Sequence, residues 1–178
     1  MIKELLEDCK NQWIRAKHNK KHPFRFFTLA TVANDGSPHL RTVVLRDYDR
    51  LQNRFVVFTD LRSQKISELK QDPRAQLFFY DPKKLVQIVV SAKCISINQN
   101  LEVYSRIPDQ SKKDYTTKLA PGIEIKAPDQ VDYLETKNYF TQLIFNASSI
   151  EYLRLKRPNH LRARFSNSDQ WEGVFLNP

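Results

Sequence analysis

With 178 residues, of which 40% are hydrophobic, the chain is long enough to bury one substantial core, and its 3 glycines and 11% aromatic residues exclude fibrous and low-complexity proteins. Its formal net charge of +9 favours anionic partners, whether phosphorylated ligands, nucleic acid or an acidic surface. No stretch approaches the roughly 18 consecutive apolar residues of a membrane-spanning helix, and the N-terminus lacks the apolar core of a signal peptide, so we expect a cytoplasmic protein with no membrane partner.

The first third of the chain predicts a helix followed by antiparallel strands. Apolar residues recur at helical spacing over 2–17, and a basic linker completes an N-terminal segment of residues 1–25. A buried strand is predicted over 26–32, and the turn sequence Asn-Asp-Gly-Ser-Pro returns the chain into a second strand over 39–46. Together with a third strand at 55–59, these strands predict an antiparallel meander.

The helix that follows the third strand carries the residues of an anion site. Ser63 is placed to cap this helix, Ile66 and Leu69 form its buried side, and Lys65 lies in its first turn. Free amides at the helix start, a hydroxyl, an ammonium group and Arg41 of the adjoining strand can converge on a phosphate. Alternatively, Ser63 only caps the helix and Lys65 is solvated, because a lysine in the first turn opposes the helix dipole. The residues of this stretch alone leave both interpretations open.

The remainder of the chain predicts further strands around one long excursion. Residues 99–138 are more polar, prolines divide them into short helical patterns at 110–118 and 129–135, and we expect them to form a lid or wall of a site. Short strands at regular spacing with one inserted helix indicate a β-barrel rather than a parallel α/β sheet. The strands predicted here are 75–80, 86–97, 140–145, 151–155, 160–165 and 171–176.

Several common site types are absent from the sequence. A P-loop, a dinucleotide-binding glycine fingerprint and a zinc-ligand spacing are all missing. Cys9 lies in a predicted helix and Cys94 lies in a predicted strand, far apart in sequence. We therefore expect two reduced thiols and no metal site.

Two blocks of sequence resemble the pyridoxamine 5'-phosphate oxidase family of FMN-binding split barrels. The first block contains R-x-V-x-L-R at 41–46, F-x-x-F-T-D-x-x-S-x-K at 55–65 and V-Q-I-V-V at 86–90. The second contains I-E-Y-L-R-L-x-x-x-x-H-L-R-A-R-F at 150–165, followed by W-x-x-x-x-L-N-P at the C-terminus. The resemblance implies a mainly β fold, an antiparallel split barrel with flanking helices that forms one domain over residues 1–178.

For the cofactor, the resemblance implies that Arg41 and Lys65 hold the phosphate of FMN, with Ser63 nearby. Gln87 would hydrogen-bond the ring system, and Arg164 would reach the flavin from the partner chain, which makes the site part of a homodimer interface. The other positions implied to contact the cofactor are Thr42, Val43, Val44, Phe58, Thr59 and Gln64.

For the substrate, the resemblance implies a pocket for a small phosphorylated compound. Arg46 stands where the family's oxidases have a lysine, and Arg106 and Ser111 match an arginine and a serine of the excursion. The family's Arg-x-His pair appears in reverse order as His160 and Arg162, which would orient the substrate as the catalytic pair.

Three further positions depart from the family's pattern. Its Arg-Lys pair is Gln64-Lys65 here, so one phosphate contact is weakened or comes from Arg62 instead. Its substrate-binding tyrosine falls on Glu102, with Tyr104 close by, and its flavin-packing tryptophan falls near Leu153. A related but different substrate is therefore compatible with the sequence.

These observations predict an FMN-dependent oxidoreductase with pyridoxamine or pyridoxine 5'-phosphate as the best substrate. A hydride would pass from the substrate to the flavin, which oxygen would reoxidise. One alternative keeps FMN but makes the protein a reductase that uses NAD(P)H and another substrate. A second alternative is a nucleic-acid-binding barrel, which the basic charge allows but the core-like placement of the aromatic residues disfavours.

Overall fold

The computed structural model describes residues 1–178 and places nine strands in one antiparallel sheet. The strands are β1 (Phe26–Val32), β2 (Pro38–Val44), β3 (Asp47–Asp49), β4 (Arg54–Asp60), β5 (Arg74–Asp81), β6 (Val86–Asn98), β7 (Phe140–Arg154), β8 (Leu161–Ser166) and β9 (Val174–Leu176). The helices are α1 (Ile2–His18), α2 (Gln64–Gln71), α3 (Leu101–Arg106) and α4 (Asp109–Lys112), with short 3₁₀ turns at Lys113–Tyr115, Pro128–Gln130 and Asn167–Asp169. None of these helices is both long and apolar enough to cross a bilayer.

The order of strands in the sheet is β2-β1-β5-β6-β7-β4-β3, and β8 and β9 continue from β7. The long strand β7 pairs with β6 along its length, with β4 through its first half and with β8 through its second half. Register shifts in β6 at Ser91/Ala92 and Cys94/Ser96 mark irregularities that bend the sheet. The result is a curled antiparallel sheet with flanking helices, which confirms the predicted fold class.

The predicted meander of the first three strands is wrong. β1 pairs with β2 and β5, whereas β4 pairs with β3 and β7. The predicted second strand touches β4 only at its end, where the Arg46 amide donates to the Val56 carbonyl at 2.9 Å. The two strands predicted at 140–145 and 151–155 are one continuous strand, β7. Alternation of apolar residues identifies a strand but carries no information about its partner, and β7 obtains its partners from segments far away in sequence.

The core lies between the inner face of the sheet and helix α1. Cys9 and Trp13 of α1 are fully buried, and the Trp13 ring packs edge-on against Phe55 at 4.8 Å between centroids. Tyr48 and Phe79 complete the cluster at 5.1 and 5.6 Å from the Trp13 ring. The amphipathic pattern of 2–17 is therefore a helix that closes one side of the barrel.

The excursion between β6 and β7 covers the outward side of β4 and β7. Its first helix, α3, is not predicted from the sequence, although Asn100 caps it by accepting a hydrogen bond from the Val103 amide at 3.0 Å. Tyr115 is 5% exposed and packs edge-on against Phe140 at 5.1 Å, and Tyr104 lies 5.4 Å from the same ring. These aromatic contacts make residues 99–138 a wall of the molecule.

Candidate functional site

The side chains of Arg41 and His39 on β2 face the interior side of the sheet. In the β1-β2 register, Arg41 is opposite Leu29 and His39 is opposite Thr31, and both β1 residues are buried. Residues directly opposite each other in an antiparallel pair share a face. Helix α2 packs over this part of the barrel, so the guanidinium group meets side chains of that helix.

Glu68 of α2 is the centre of these contacts and is only 2% exposed. Arg41 donates from Nη2 to its Oε2 at 2.9 Å, and the Thr31 hydroxyl donates to the same oxygen at 2.5 Å. His39 Nδ1 lies 2.5 Å from the other carboxylate oxygen. Burial acts to raise the pKa of Glu68, but the hydrogen bonds from Thr31, His39 and Arg41 outweigh it and hold that pKa below its usual range. Glu68 is therefore an ionised carboxylate at neutral pH.

Lys65 lies about one turn before Glu68 on α2 and supplies the second cation of this region. Its Nζ donates to Thr59 Oγ1 at 3.0 Å, and Thr59 Oγ1 lies 3.2 Å from Ser63 Oγ. Burial lowers the pKa of Lys65, and the charge of Arg41 lowers it further. Ser63 occupies the N-cap position of α2, but its side chain makes no capping hydrogen bond. The structure thus brings Lys65, Thr59 and Ser63 into contact, and Arg41 is held by Glu68 one helical turn further along α2. We call these four residues the cationic cluster.

Arg62 does not belong to the cationic cluster. Its Nε and Nη2 groups donate to Asp60 at 3.0 and 2.7 Å, and it also donates to the carbonyls of Thr117 at 2.9 Å and Lys118 at 3.1 Å. Its guanidinium carbon lies 3.5 Å from the centroid of the Tyr139 ring. Every nitrogen of Arg62 has a partner, so the structure does not support Arg62 as a replacement phosphate contact. Its partners fasten the excursion to the end of β4 instead.

Gln87 and Arg164 lie on the outer face of the sheet, opposite the core. Gln87 alternates with buried neighbours on β6 and pairs with Leu153 of β7, which in turn pairs with Arg162 of β8. Arg164 follows on the same face of β8 and is exposed. Thr42 also faces outward, and Gln64 is an exposed residue at the start of α2.

Within one chain, Gln87 does not meet the cationic cluster. β6 is three strands away from β2, which is about 14 Å at the usual strand spacing. In addition, the side chain of Gln87 points away from the face that carries Arg41. The two parts of the site predicted from the sequence are therefore separate in a single protomer.

Two of the residues predicted to bind substrate are engaged by carboxylates. Arg162 donates from Nε and Nη2 to Glu151 Oε1 at 3.0 and 2.7 Å. Arg106 lies on α3 with 75% of its side chain exposed and pairs with Glu102 at 2.5 Å. His160 is exposed and accepts a hydrogen bond at Nδ1 from the Lys156 amide at 3.1 Å.

Arg46 and the inner residues of the excursion form a more enclosed group. The Arg46 guanidinium carbon lies 5.5 Å from the centroid of the Phe58 ring, and its Nε is buried without a hydrogen-bond partner. The Phe58 ring packs on Phe140 at 5.0 Å, and Tyr104 packs on Phe140 from the excursion. Ser111 is half-buried on α4. Of the two candidate positions for the family's tyrosine, Tyr104 faces the barrel whereas Glu102 is exposed.

Comparison with solved structures shows the class of fold. The chain matches a pyridoxamine 5'-phosphate oxidase-related, FMN binding protein from Nostoc punctiforme with a TM-score of 0.73 and 23% identity, over 93% of this chain and 94% of that one. It matches PhzG from Burkholderia lata, solved with tetrahydrophenazine-1-carboxylic acid, with a TM-score of 0.76 and 16% identity, over 96% and 90% of the two chains. These similarities define the protein as a split barrel of the kind found in pyridoxamine 5'-phosphate oxidases.

Comparison of sequences identifies the family. The profile described as "Pyridoxamine 5'-phosphate oxidase, FMN-binding domain" matches residues 5–98, just over half of the chain. The chain belongs to this family. The pyridoxine/pyridoxamine 5'-phosphate oxidase of Aliarcobacter butzleri is 33% identical over 104 residues, which are 57% of this chain and 47% of that protein. A second such oxidase, from Arabidopsis thaliana, is 36% identical over 88 residues, 49% of this chain and 41% of that protein. The match thus spans about half the length of these curated relatives.

Proposed function

We propose that the chain binds FMN through the cationic cluster. The observation that carries this proposal is the placement of two cations from distant parts of the sequence along one helix. Lys65 of α2 donates to the hydroxyl of Thr59, and Arg41 of β2 donates to Glu68, one turn further along the same helix. Glu68 already balances the charge of Arg41, whereas Lys65 forms no salt bridge. Burial and the charge of Arg41 both disfavour the ammonium of Lys65, so this arrangement favours an added anion. A phosphate group with nearly two negative charges and three acceptor oxygens has the matching chemistry.

The residues of the cluster fit a phosphate in number as well as in charge. The ammonium of Lys65 has one hydrogen-bond partner, Thr59, and can donate to two more acceptors. The Nε–H group of Arg41 has no protein partner, whereas its Nη1 and Nη2 groups do. The hydroxyls of Thr59 and Ser63 lie beside Lys65 and can turn toward a ligand.

The complete cofactor site forms in a homodimer. Gln87 and Arg164 lie on the outer face and reach a flavin held by the cationic cluster only from the partner chain. The same face exposes large apolar side chains, which is unusual for a surface in contact with water. These side chains are Phe26, Leu40, Phe78 and Tyr80, with between 38% and 66% of each residue exposed.

The proposed activity is that of an FMN-dependent oxidoreductase with pyridoxamine or pyridoxine 5'-phosphate as substrate. Bound FMN supplies an acceptor for the hydride that leaves the substrate carbon bearing the amine or hydroxyl, with oxygen as the final acceptor and hydrogen peroxide as product. Arg164 stabilises the negative charge that hydride arrival brings to the flavin. Arg46, Arg106 and Ser111 bind the substrate phosphate, and His160 and Arg162 orient the substrate.

A second candidate keeps FMN and changes the reaction to a reduction that uses NAD(P)H. The pairing of Arg106 with Glu102 and of Arg162 with Glu151 leaves room for it, because both pairs reduce the positive charge available to the phosphate of pyridoxamine 5'-phosphate and so favour another substrate. Pyridoxal 5'-phosphate formation under oxygen supports the oxidase, whereas NAD(P)H consumption without that product supports the reductase.

The test begins with the absorbance spectrum of the purified protein and a titration with FMN at micromolar concentration. A yellow protein that bleaches when pyridoxamine 5'-phosphate is added anaerobically is the expected result. A folded protein that does not bind FMN refutes the cofactor. Affinity for DNA that falls steeply with salt, with no flavin bound, would instead support the nucleic-acid alternative.

A further inference from the structure

The structure contains a buried carboxylate inside a site that is expected to bind an anion. Glu68 lies three residues after Lys65, so both side chains project from the same side of α2. A negative charge at this place repels a phosphate. The phosphate alone could balance the charge of Arg41, so charge balance does not require Glu68. The carboxylate must therefore contribute something that outweighs this repulsion.

The hydrogen bonds of Arg41 show what Glu68 contributes. Arg41 Nη1 donates to Thr31 Oγ1 and to the His39 carbonyl, and Nη2 donates to Glu68 Oε2. These partners fix the plane of a guanidinium that would otherwise rotate about four side-chain torsions. They leave Nε–H and one Nη2–H for a ligand, the number that a two-point contact with a phosphate requires.

We propose that Glu68 is a positioning residue that holds Arg41 in the orientation required to bind the phosphate of the cofactor, a role that rests on the proposed FMN site. Thr31 assists, because its hydroxyl accepts from Arg41 and donates to Glu68. Glu68 itself is held from its other oxygen by His39, so the carboxylate does not rotate away. Outer partners of ligand-binding side chains act in this way in metal sites.

Glutamine at position 68 separates positioning from charge. The amide oxygen of Glu68→Gln can accept from Arg41 and Thr31, while its NH₂ group donates to His39 Nδ1. This variant keeps the orientation and removes the charge. Glu68→Ala removes both. If Glu68 positions Arg41, glutamine preserves phosphate binding and alanine does not.

The experiment compares FMN with riboflavin, which lacks the phosphate. The full-length chain, freed of flavin, is titrated with each compound, and quenching of flavin fluorescence gives the two dissociation constants. Their ratio measures the phosphate contact and is insensitive to general loosening of the flavin site. We expect Glu68→Ala to lower the preference for FMN by about tenfold and Glu68→Gln to keep it within about threefold. Glu7→Ala, which removes an exposed glutamate paired with Arg50, is the control.

Two further variants complete the design. Glu68→Ala combined with Arg41→Ala is expected to weaken FMN binding no more than Arg41→Ala alone, because the two residues act through one contact. Thr31→Val removes the bridging hydroxyl without changing the shape of the side chain, and it tests the role if Glu68→Ala does not fold. We expect it to lower the FMN preference while riboflavin affinity stays constant.

Each outcome has one meaning. An unmodified protein without any preference for FMN overturns the proposed cofactor and this role together. An unmodified protein that prefers FMN, with the same preference in Glu68→Ala and in Thr31→Val, overturns only the role of these residues. A Glu68→Gln variant as poor as Glu68→Ala would show that charge, not orientation, is what Glu68 provides, and would also overturn the proposal.

Discussion

Replacement of Lys65 by methionine is the most direct test of the cationic cluster. The change removes the ammonium and keeps a side chain of similar length. A hydrogen bond to a charged group contributes about 1.5–3 kcal/mol, so we expect the dissociation constant for FMN to rise by about 10- to 100-fold. Riboflavin has no phosphate, and its affinity should not change.

The same substitution should not destabilise the flavin-free protein. Burial and the nearby charge of Arg41 both disfavour the charged form of Lys65, and the one hydrogen bond lost is the 3.0 Å contact with Thr59. Urea unfolding of the flavin-free variant is expected to give a free energy of unfolding no lower than that of the unmodified protein. Lys70→Met, at an exposed position of the same helix, is the matched control for both measurements.

The pH dependence follows from the lowered pKa of Lys65. The unfolded chain keeps the proton up to the ordinary value of 10.5, whereas the folded, flavin-free chain releases it at a lower pH. The stability of the flavin-free protein should therefore rise with pH within that window, and this rise should be absent from Lys65→Met. A variant that loses FMN and riboflavin affinity equally, or that keeps its FMN affinity, would refute the assignment of Lys65 to the phosphate.

Three other predictions can be checked separately. Because the pKa of Glu68 is held below its ordinary 4.5, the protein should lose stability on acidification below about pH 4.5, and Glu68→Gln should flatten this loss in acid titrations followed by circular dichroism. Arg62→Ala should speed proteolytic cleavage within residues 117–138, since it removes the link between Asp60 and the excursion; unchanged cleavage would contradict that link. Phe78→Asp should convert the proposed dimer to a monomer in sedimentation, whereas a change at exposed Leu51, outside that face, should not.

Local sequence patterns predict the individual elements well because they report on one face of one segment. The bounds of β1 match the alternation of 26–32, and Ile66 and Leu69 are buried on α2 as their spacing indicates. The partner of β4 cannot be found in this way. Pairing depends on which segments meet after the chain folds, and the alternation of 55–59 is compatible with several neighbours.

The candidate site shows the same division between local and distant information. The first-turn position of Lys65 is a local signal of an anion site, and the fold brings Arg41 to Glu68, one turn further along the same helix. Glu68 is not among the site residues predicted from the sequence, although its spacing of three residues from Lys65 places both side chains on one side of the helix. Glu68 matters because it is buried against Thr31 of β1 and His39 of β2, and the sequence of the helix alone does not reveal these contacts. The sequence makes Arg62 a candidate phosphate contact because it lies next to Ser63. Its actual partners, the carbonyls of Thr117 and Lys118, are far away along the chain and cannot be identified from the sequence.

The attachment of the excursion has a consequence for how such proteins diversify. The excursion leaves the sheet after β6 and re-enters it at β7, and these neighbouring strands are already paired at Asn98 and Gln142. It is thus an oversized hairpin connection, and its length can change without shifting the register of any other strand. Exchanging this connection between relatives would therefore replace one wall of the molecule while the pairing of the nine strands stays intact.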